Sequence, residues 1–176
     1  MSSRSTSDTA GKKLSVRELA ELSLLAALMF AGKEALSGIP NVHPVALLIL
    51  VCTAVYGWKA LYSVAVFVLL EIAVYGVGMW TLMYAYVWPL LAALSMLLRK
   101  DGTRLMYALL AAFHGLAFGA LTSIPYVFIV GFKAELAWWA AGVPYDLIHC
   151  VSNFVIVLLL FEPLRKLVQR LHDHSK

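Results

Sequence analysis

Long apolar runs, separated by short breaks that contain glycine, proline or charged residues, dominate the pattern of the chain. Six such runs are found, and they cover about residues 15–36, 44–56, 60–75, 80–98, 105–124 and 144–164. A helix needs roughly 20 residues to cross the hydrocarbon core of a bilayer, so 176 residues hold about six spans. The pattern predicts an all-α integral membrane fold, with one six-helix transmembrane domain at residues 14–172.

Two segments fall outside the six runs. The polar, Ser/Thr-rich residues 1–13 have no apolar core of the kind found in a secretory signal, and we expect a short disordered cytoplasmic tail there. Residues 132–142 contain Trp138 and Trp139 and are predicted to form a short interfacial helix on the outer surface. Kinks are expected at Pro89 in the fourth span and at Pro125 near the outer end of the fifth.

Composition narrows the class of protein. Hydrophobic residues make up 62% and charged residues 14%, against ~45–50% and ~25% in soluble domains. Because six spans occupy most of the 176 residues, we expect no separate soluble catalytic domain. The chain contains no phosphate-binding loop, HExxH zinc motif or GxSxG nucleophile elbow. Cys52 and Cys150 both lie in apolar runs without metal-ligand spacing. We therefore expect no ATPase, no recognised hydrolase, no disulfide and no metal site.

The net charge of +4 is explained by topology. Basic residues fall in alternate connections: Arg4, Lys12, Lys13 and Arg17 before the first span, Lys59 after the second, Arg99, Lys100 and Arg104 after the fourth, and Arg165, Lys166, Arg170 and Lys176 after the last. In the other connections, Lys133 is the only lysine or arginine. The positive-inside rule then places both termini in the cytoplasm. No nucleic-acid partner is needed to explain the charge.

Ionisable side chains within the runs are costly in lipid and are candidates for function. Lys33 and Glu34 close the first span, where contact with a ligand and snorkelling to the interface both explain them. Glu71 must face the protein interior, as a functional group or as a structural hydrogen-bond acceptor. His114 lies beside Gly115, and packing against another helix is the favoured interpretation.

The most concentrated polar face opens the sixth span. Asp146, His149 and Asn153 are spaced i, i+3 and i+7, so they lie on one helical face, with Tyr145 nearby. Asp146 is also explained by the dipole at a helix N-terminus, but the other two are not. The spacing favours contact with a ligand at the outer end of the helix.

An aromatic stripe on the fourth span points to the same end of the molecule. Trp80, Tyr84 and Trp88 recur every four residues, and Trp88 lies ~12 Å deeper than Trp80, below an interfacial belt. Core packing is one interpretation of the stripe. The other is an outward-facing cavity for a sizeable, partly flat organic ligand, since further aromatic residues cluster at the outer side.

A ridge of small residues marks the first span. Ala27, Ala31 and Ala35 repeat every four residues, and such a ridge lets another helix approach closely. The partner is either another protein or a helix of this chain. With an outer pocket and no energy source, the pattern indicates the binding subunit of a larger machine.

These features resemble one family, the S-components of energy-coupling factor (ECF) transporters, which capture vitamins for an ABC-type importer of prokaryotes. The likeness runs from about Leu14 onward and includes the alanine ridge. Residues 39–43 (IPNVH), 84–89 (YAYVWP) and 144–153 (PYDLIHCVSN) are similar to a subgroup associated with cobalamin uptake. The resemblance implies a location in the prokaryotic cytoplasmic membrane, with a transmembrane coupling subunit and two ATPase subunits as partners.

The resemblance also implies roles for residues. Ala27, Ala31 and Ala35 would contact the coupling subunit. The outer loops and span ends would hold the vitamin, without a catalytic residue, cofactor or metal. The polar and aromatic patterns described above, rather than a family motif, favour as its binding residues Asn41, His43, Trp80, Tyr84, Trp88, Tyr145, Asp146, His149 and Asn153. Alternatives are an S-component for a queuosine precursor, thiamine or riboflavin, an intramembrane enzyme that uses Asp146, His149 and Glu71, and a structural subunit with no ligand.

Overall fold

The computed structural model describes residues 14–173, which contain no strand and form six α-helices. These are α1 (Val16–Ala35), α2 (Val45–Tyr56), α3 (Ala60–Tyr75), α4 (Met79–Met96), α5 (Arg104–Val130) and α6 (Phe132–Asp173), with a 3-10 turn at Gly57–Lys59. The all-α prediction is confirmed. The predicted disordered tail at residues 1–13 lies outside the described residues.

Local chemistry explains several helix ends. Ser15 begins α1 with a capping box, in which its hydroxyl accepts from the Glu18 N–H and the Glu18 carboxylate accepts from the Ser15 N–H. The chain turns from α5 into α6 at the single residue Gly131, whose φ of 85° is open to glycine at little cost. Gly57 has a φ of 61° and likewise lets the chain turn, here at the end of α2.

The short helix α2 forms the centre of the molecule. Eleven of its twelve residues are buried, and it packs against the other α-helices. The thiol of Cys52 lies 3.5 Å from the hydroxyl of Ser63. In one straight helix, residues 11 apart would be separated by about 16 Å along the axis. The chain therefore reverses at Gly57–Lys59, and α3 returns beside α2.

Four helical stretches are long and apolar enough to cross a membrane: Val45–Tyr75, Met79–Met96, Arg104–Val130 and Phe132–Asp173. The first of them contains the reversal between α2 and α3. α1 is not among them, since it carries Arg17, Glu18, Glu21, Lys33 and Glu34 within its 20 residues. These stretches are those of a membrane protein.

The basic connections meet at one end of the bundle, here called the basic end. Lys59 Nζ lies 2.7 Å from Glu18 Oε1, which joins the α2–α3 turn to the start of α1. The guanidinium of Arg17 donates to the Leu171 carbonyl at 3.0 Å, near the end of α6. The opposite end, here called the cavity end, collects the connections 36–44 and 76–78 and the α5–α6 turn.

The prediction of a separate interfacial helix at residues 132–142 is wrong. α6 runs without interruption for 42 residues, about 63 Å, and includes Pro144. α5 likewise continues through Pro125 to Val130. A proline removes one backbone hydrogen bond and bends a helix. The extensive packing of α5 against α6, the largest helix pair of the fold, keeps both helices intact through these positions.

Candidate ligand-binding site

A cavity of about 530 Å³ opens at the cavity end, among α4, α5, α6 and the α1–α2 connection. This volume lies within the 300–1,000 Å³ range of small-molecule sites. The lining residues are Asn41, Met79, Trp80, Met83, Phe118, Gly119, Thr122, Ser123, Tyr126, Glu135, Trp138, Trp139, Gly142, Tyr145 and Asp146. Six of them are aromatic, which suits a ligand with flat or apolar faces.

Four of the nine predicted ligand-binding residues line this cavity: Asn41, Trp80, Tyr145 and Asp146. The Asn41 side chain donates to the Tyr145 carbonyl at 2.9 Å, and the Ser152 hydroxyl donates to the Asn41 carbonyl at 2.9 Å. Asn41 has a φ of 57°, a conformation that asparagine tolerates better than most residues. These bonds hold the α1–α2 connection against α6 at the rim of the cavity.

The aromatic stripe of α4 is present and leaves the cavity as it descends. The ring centroids of Trp80 and Tyr84 are 5.6 Å apart, and those of Tyr84 and Trp88 are 5.5 Å apart, both in edge-to-face geometry. Trp80 lines the cavity, whereas Trp88 is fully buried and belongs to the hydrophobic core. Core packing is therefore confirmed for Trp88, and ligand contact stays a prediction for Trp80.

His43, His149 and Asn153 lie outside the cavity lining. The His149 ring is fully buried, and its centroid is 5.1 Å from that of His43 and 4.8 Å from that of Phe118. Phe118 itself lines the cavity, so it lies between the cavity and His149. The Asn153 amide donates to the Ala111 carbonyl at 3.3 Å and joins α6 to α5.

Unused hydrogen-bonding capacity is concentrated around and beneath the cavity. Within residues 14–173, the buried side-chain atoms without a hydrogen-bond partner are His43 Nδ1, Trp88 Nε1, His114 Nδ1, Glu135 Oε1, Trp139 Nε1, Asp146 Oδ2 and both ring nitrogens of His149. Buried polar groups are normally paired, since an unpaired one costs about 1–3 kcal/mol. All eight atoms belong to residues at or directly beneath the cavity end.

Glu135 is a carboxylate of the cavity lining that sequence reasoning missed. It lines the 530 Å³ cavity and two neighbouring ones of about 500 and 220 Å³, and it is only 4% exposed. It is the only acidic residue between positions 131 and 145, and the residues on either side of it are exposed. A lone carboxylate in an apolar segment was the signal available in the sequence.

Glu71 faces the interior, as predicted, but not the cavity. It is 2% exposed, and the ammonium of Lys33 lies 2.9 and 2.8 Å from its two oxygens. Lys33 also contacts Glu34 at 3.1 Å, and Glu34 accepts a hydrogen bond from Tyr75. Lys33 is therefore held by ion pairs within the protein. His114 lies between α4 and α5, where its Nε2 is 3.2 Å from the Val87 carbonyl.

The alanine ridge of α1 lies on the surface. Ala27, Ala31 and Ala35 are all exposed, and so are the neighbouring Leu24 and Leu28. The opposite face of α1 packs against α2 and α3. Among the described residues, no helix of this chain covers the ridge, so packing within the chain does not account for it.

Neither a metal-binding cluster nor a similar protein helps to identify the ligand of this cavity. In the part of the chain that the structure describes, no group of three or more His, Cys, Asp or Glu side chains is arranged to hold a metal ion. In comparisons with protein-family models, curated proteins and solved structures, nothing matches the chain.

Proposed function

We propose that this protein is the substrate-binding S-component of an ECF-type importer in a prokaryotic cytoplasmic membrane, with cobalamin as its ligand. The observation that carries the proposal is the cavity at one end of the bundle, with six aromatic residues and unpaired buried polar atoms around it. A flat, apolar framework with polar substituents complements such a lining. The resemblance of residues 39–43, 84–89 and 144–153 to the cobalamin subgroup supplies the choice of vitamin.

The exposed ridge supports a partner in the membrane. Close helix contact in lipid depends on small residues that let backbones approach, and Ala27, Ala31 and Ala35 provide such a surface on α1. The coupling subunit of the importer would dock there. Its two ATPase subunits would supply the energy, since this chain has no phosphate-binding loop.

The proposed topology has six spans with both termini in the cytoplasm. It counts α1 to α6 each as one span and treats the reversal at Gly57–Lys59 as a cytoplasmic turn. The basic end then faces the cytoplasm, as the positive-inside rule requires, and the cavity faces outward. The ion pair of Lys33 with the buried Glu71 lowers the cost of placing the Lys33 charge in the membrane.

The cavity volume favours a second candidate within the same class. About 530 Å³ is ample for a drug-sized molecule, whereas cobalamin is larger and would be held only in part unless the surrounding helices move. Thiamine, riboflavin and a queuosine precursor are small enough to be enclosed. An S-component for one of these vitamins is therefore the alternative.

Glu71 bears on the alternative of an intramembrane enzyme. Such an enzyme would use Asp146, His149 and Glu71 together, but Glu71 is engaged by Lys33, and neither Glu71 nor His149 lines the cavity. This placement supports a structural function for Glu71 and a binding function for the cavity.

Two measurements test the proposal. Purified protein is titrated with cobalamin, thiamine, riboflavin and queuine by calorimetry, and its visible absorption is recorded for a corrinoid chromophore. Tight binding of cobalamin supports the proposal, tight binding of another vitamin supports the alternative, and no binding overturns both. In the second measurement, the tagged protein is captured from its native membrane. Co-purification of two ATPases and a membrane subunit supports the assignment, and their absence contradicts it.

A further inference from the structure

The electrostatics of the cavity are one-sided. It contains the carboxylates of Glu135 and Asp146, and none of the described residues that line it is a lysine or an arginine. Both carboxylates are 4% exposed, and each has a buried oxygen without a hydrogen-bond partner. A buried carboxylate is stable only when hydrogen-bond donors pair with its oxygens. Here the protein leaves one oxygen of each carboxylate without such a donor.

The contacts of Asp146 show which of its two oxygens has a hydrogen-bond donor. Its Oδ1 accepts the backbone N–H of Gly119 at 2.9 Å, and a side chain at position 119 would collide with the same carboxylate. The close approach of α5 therefore fixes the orientation of Asp146. Its Oδ2 is buried and has no partner at normal hydrogen-bond distance, and the side chain of Trp139, whose Nε1 is also unpaired, lies close enough to interact with the carboxylate.

Glu135 and Asp146 form a pair along one helix face. They are 11 residues apart on α6, which is about three turns, so they share a face and are separated by about 16 Å along the axis. The exposed stretch around Glu135 has no other buried residue from position 131 to 145. Two acceptors at this spacing are too far apart to bind one small ammonium group at the same time.

We propose that Glu135 and Asp146 recognise two separate N–H donor groups on one wide ligand, specifically peripheral carboxamides of a corrinoid, and that they reject anionic groups at these positions. The inference rests on the proposed function and names the contacts that would select the ligand. A carboxamide donates its N–H to a carboxylate, whereas a carboxylate on the ligand would meet like charge. The aromatic residues between the two carboxylates, Trp138, Trp139 and Tyr145, would contact the apolar framework.

The test compares cobalamin with the monocarboxylic acids that form when one of its amides is hydrolysed. Calorimetry with the full-length wild-type protein is expected to show at least one acid that binds about 10- to 100-fold more weakly than cobalamin, the range for one charge-assisted hydrogen bond. Glu135→Gln and Asp146→Asn should bind cobalamin about 10-fold more weakly. One of the two should also lose its discrimination against the matching acid, since the repulsion is removed.

Glu162→Gln is the matched control, because Glu162 is on the same helix but pairs with Arg165 away from the cavity. It should retain both the affinity and the discrimination of the wild type. Thermal unfolding of each variant checks that it folds, and an Asn at position 146 can still accept from Gly119. If wild type binds cobalamin and all the acids equally, or both variants keep the wild-type preference, the inference is overturned and the proposed function stands. If wild type does not bind cobalamin, both the inference and the proposed function fail.

Discussion

The ammonium of Lys33 lies 2.9 and 2.8 Å from the two carboxylate oxygens of Glu71, so a charge near the end of α1 is neutralised by α3. Lys33 comes two residues after Ala31 on the alanine ridge. Together with the buried apolar residues Leu22, Ala26 and Met29, the pair holds α1 in the rotation that leaves the alanine ridge exposed.

Removing one member of this pair is expected to destabilise the protein more than removing both. Lys33→Met leaves Glu71 as an unpaired buried carboxylate, and the loss of stability should be about 3–5 kcal/mol. Lys33→Met combined with Glu71→Leu should recover most of this loss. Thermal unfolding in detergent measures both effects.

The control for this comparison is Lys59→Met. Lys59 pairs with Glu18 at 2.7 Å at the basic end, where the Glu18 side chain is 18% exposed, against 2% for that of Glu71. A more exposed pair contributes less, so the change should cost no more than about 1 kcal/mol. Equal losses for Lys33→Met and Lys59→Met would show that burial of the first pair has no energetic consequence.

Most helix boundaries could be predicted because they depend on local chemistry. The break between α3 and α4 follows from Gly76 and Gly78, and the start of α2 follows from Pro44. The continuity of α6 could not be predicted, because Pro144 gives the same local signal whether a helix stops or merely bends. The packing of α5 against α6 decides between these outcomes, and it involves residues distant in sequence.

Some residues of the cavity could likewise be predicted from local sequence, whereas others depend on how the helices pack. Asp146 and Trp80 were found because polar and aromatic residues at span ends are unusual enough to be noticed one at a time. Glu135 was missed because its burial depends on α6 extending to Phe132 and on α5 extending beside it to Val130. The depth of Trp88 and its packing in the core could be predicted from its register, but its neighbours there, Phe67, His114 and Phe118, could not.

Gly115 and Gly119 allow α5 to approach α6, and an alanine at either position should disturb the site. At Gly115, a Cβ atom would lie 2.8 Å from the backbone carbonyl oxygen of His149, which cannot move aside easily. At Gly119 it would collide with the Asp146 carboxylate. We expect Gly115→Ala to cost about 1–3 kcal/mol of stability and Gly119→Ala to weaken vitamin binding through Asp146.

Gly38→Ala is the control for the glycine variants, because a Cβ at position 38 meets no atom within 4 Å. It should leave both unfolding temperature and vitamin affinity unchanged. The prediction fails if Gly115→Ala unfolds at the same temperature as Gly38→Ala.

Trp80 and Trp88 should separate binding from stability. Trp80 lines the cavity, so Trp80→Ala is expected to weaken vitamin binding at least tenfold and to change the unfolding temperature little. Trp88 is fully buried among Phe67, His114 and Phe118. Trp88→Ala should therefore lower stability by about 3–5 kcal/mol. Calorimetric titration and thermal unfolding of both variants test this separation, and it is refuted if Trp80→Ala binds the vitamin as wild type does.

The alanine ridge should be required for transport and not for binding. Ala27→Trp or Ala31→Trp places a large ring on an exposed surface away from the cavity, so vitamin affinity should stay within about twofold of wild type. Close helix contact with a coupling subunit would be blocked, and uptake in reconstituted vesicles should fall at least tenfold. Leu159→Trp is the matched control, since Leu159 is 63% exposed on α6 and does not belong to the ridge. Uptake that survives Ala31→Trp as it survives Leu159→Trp would place the partner elsewhere. Parallel loss of binding and uptake would mean that the ridge is coupled to the cavity within this chain.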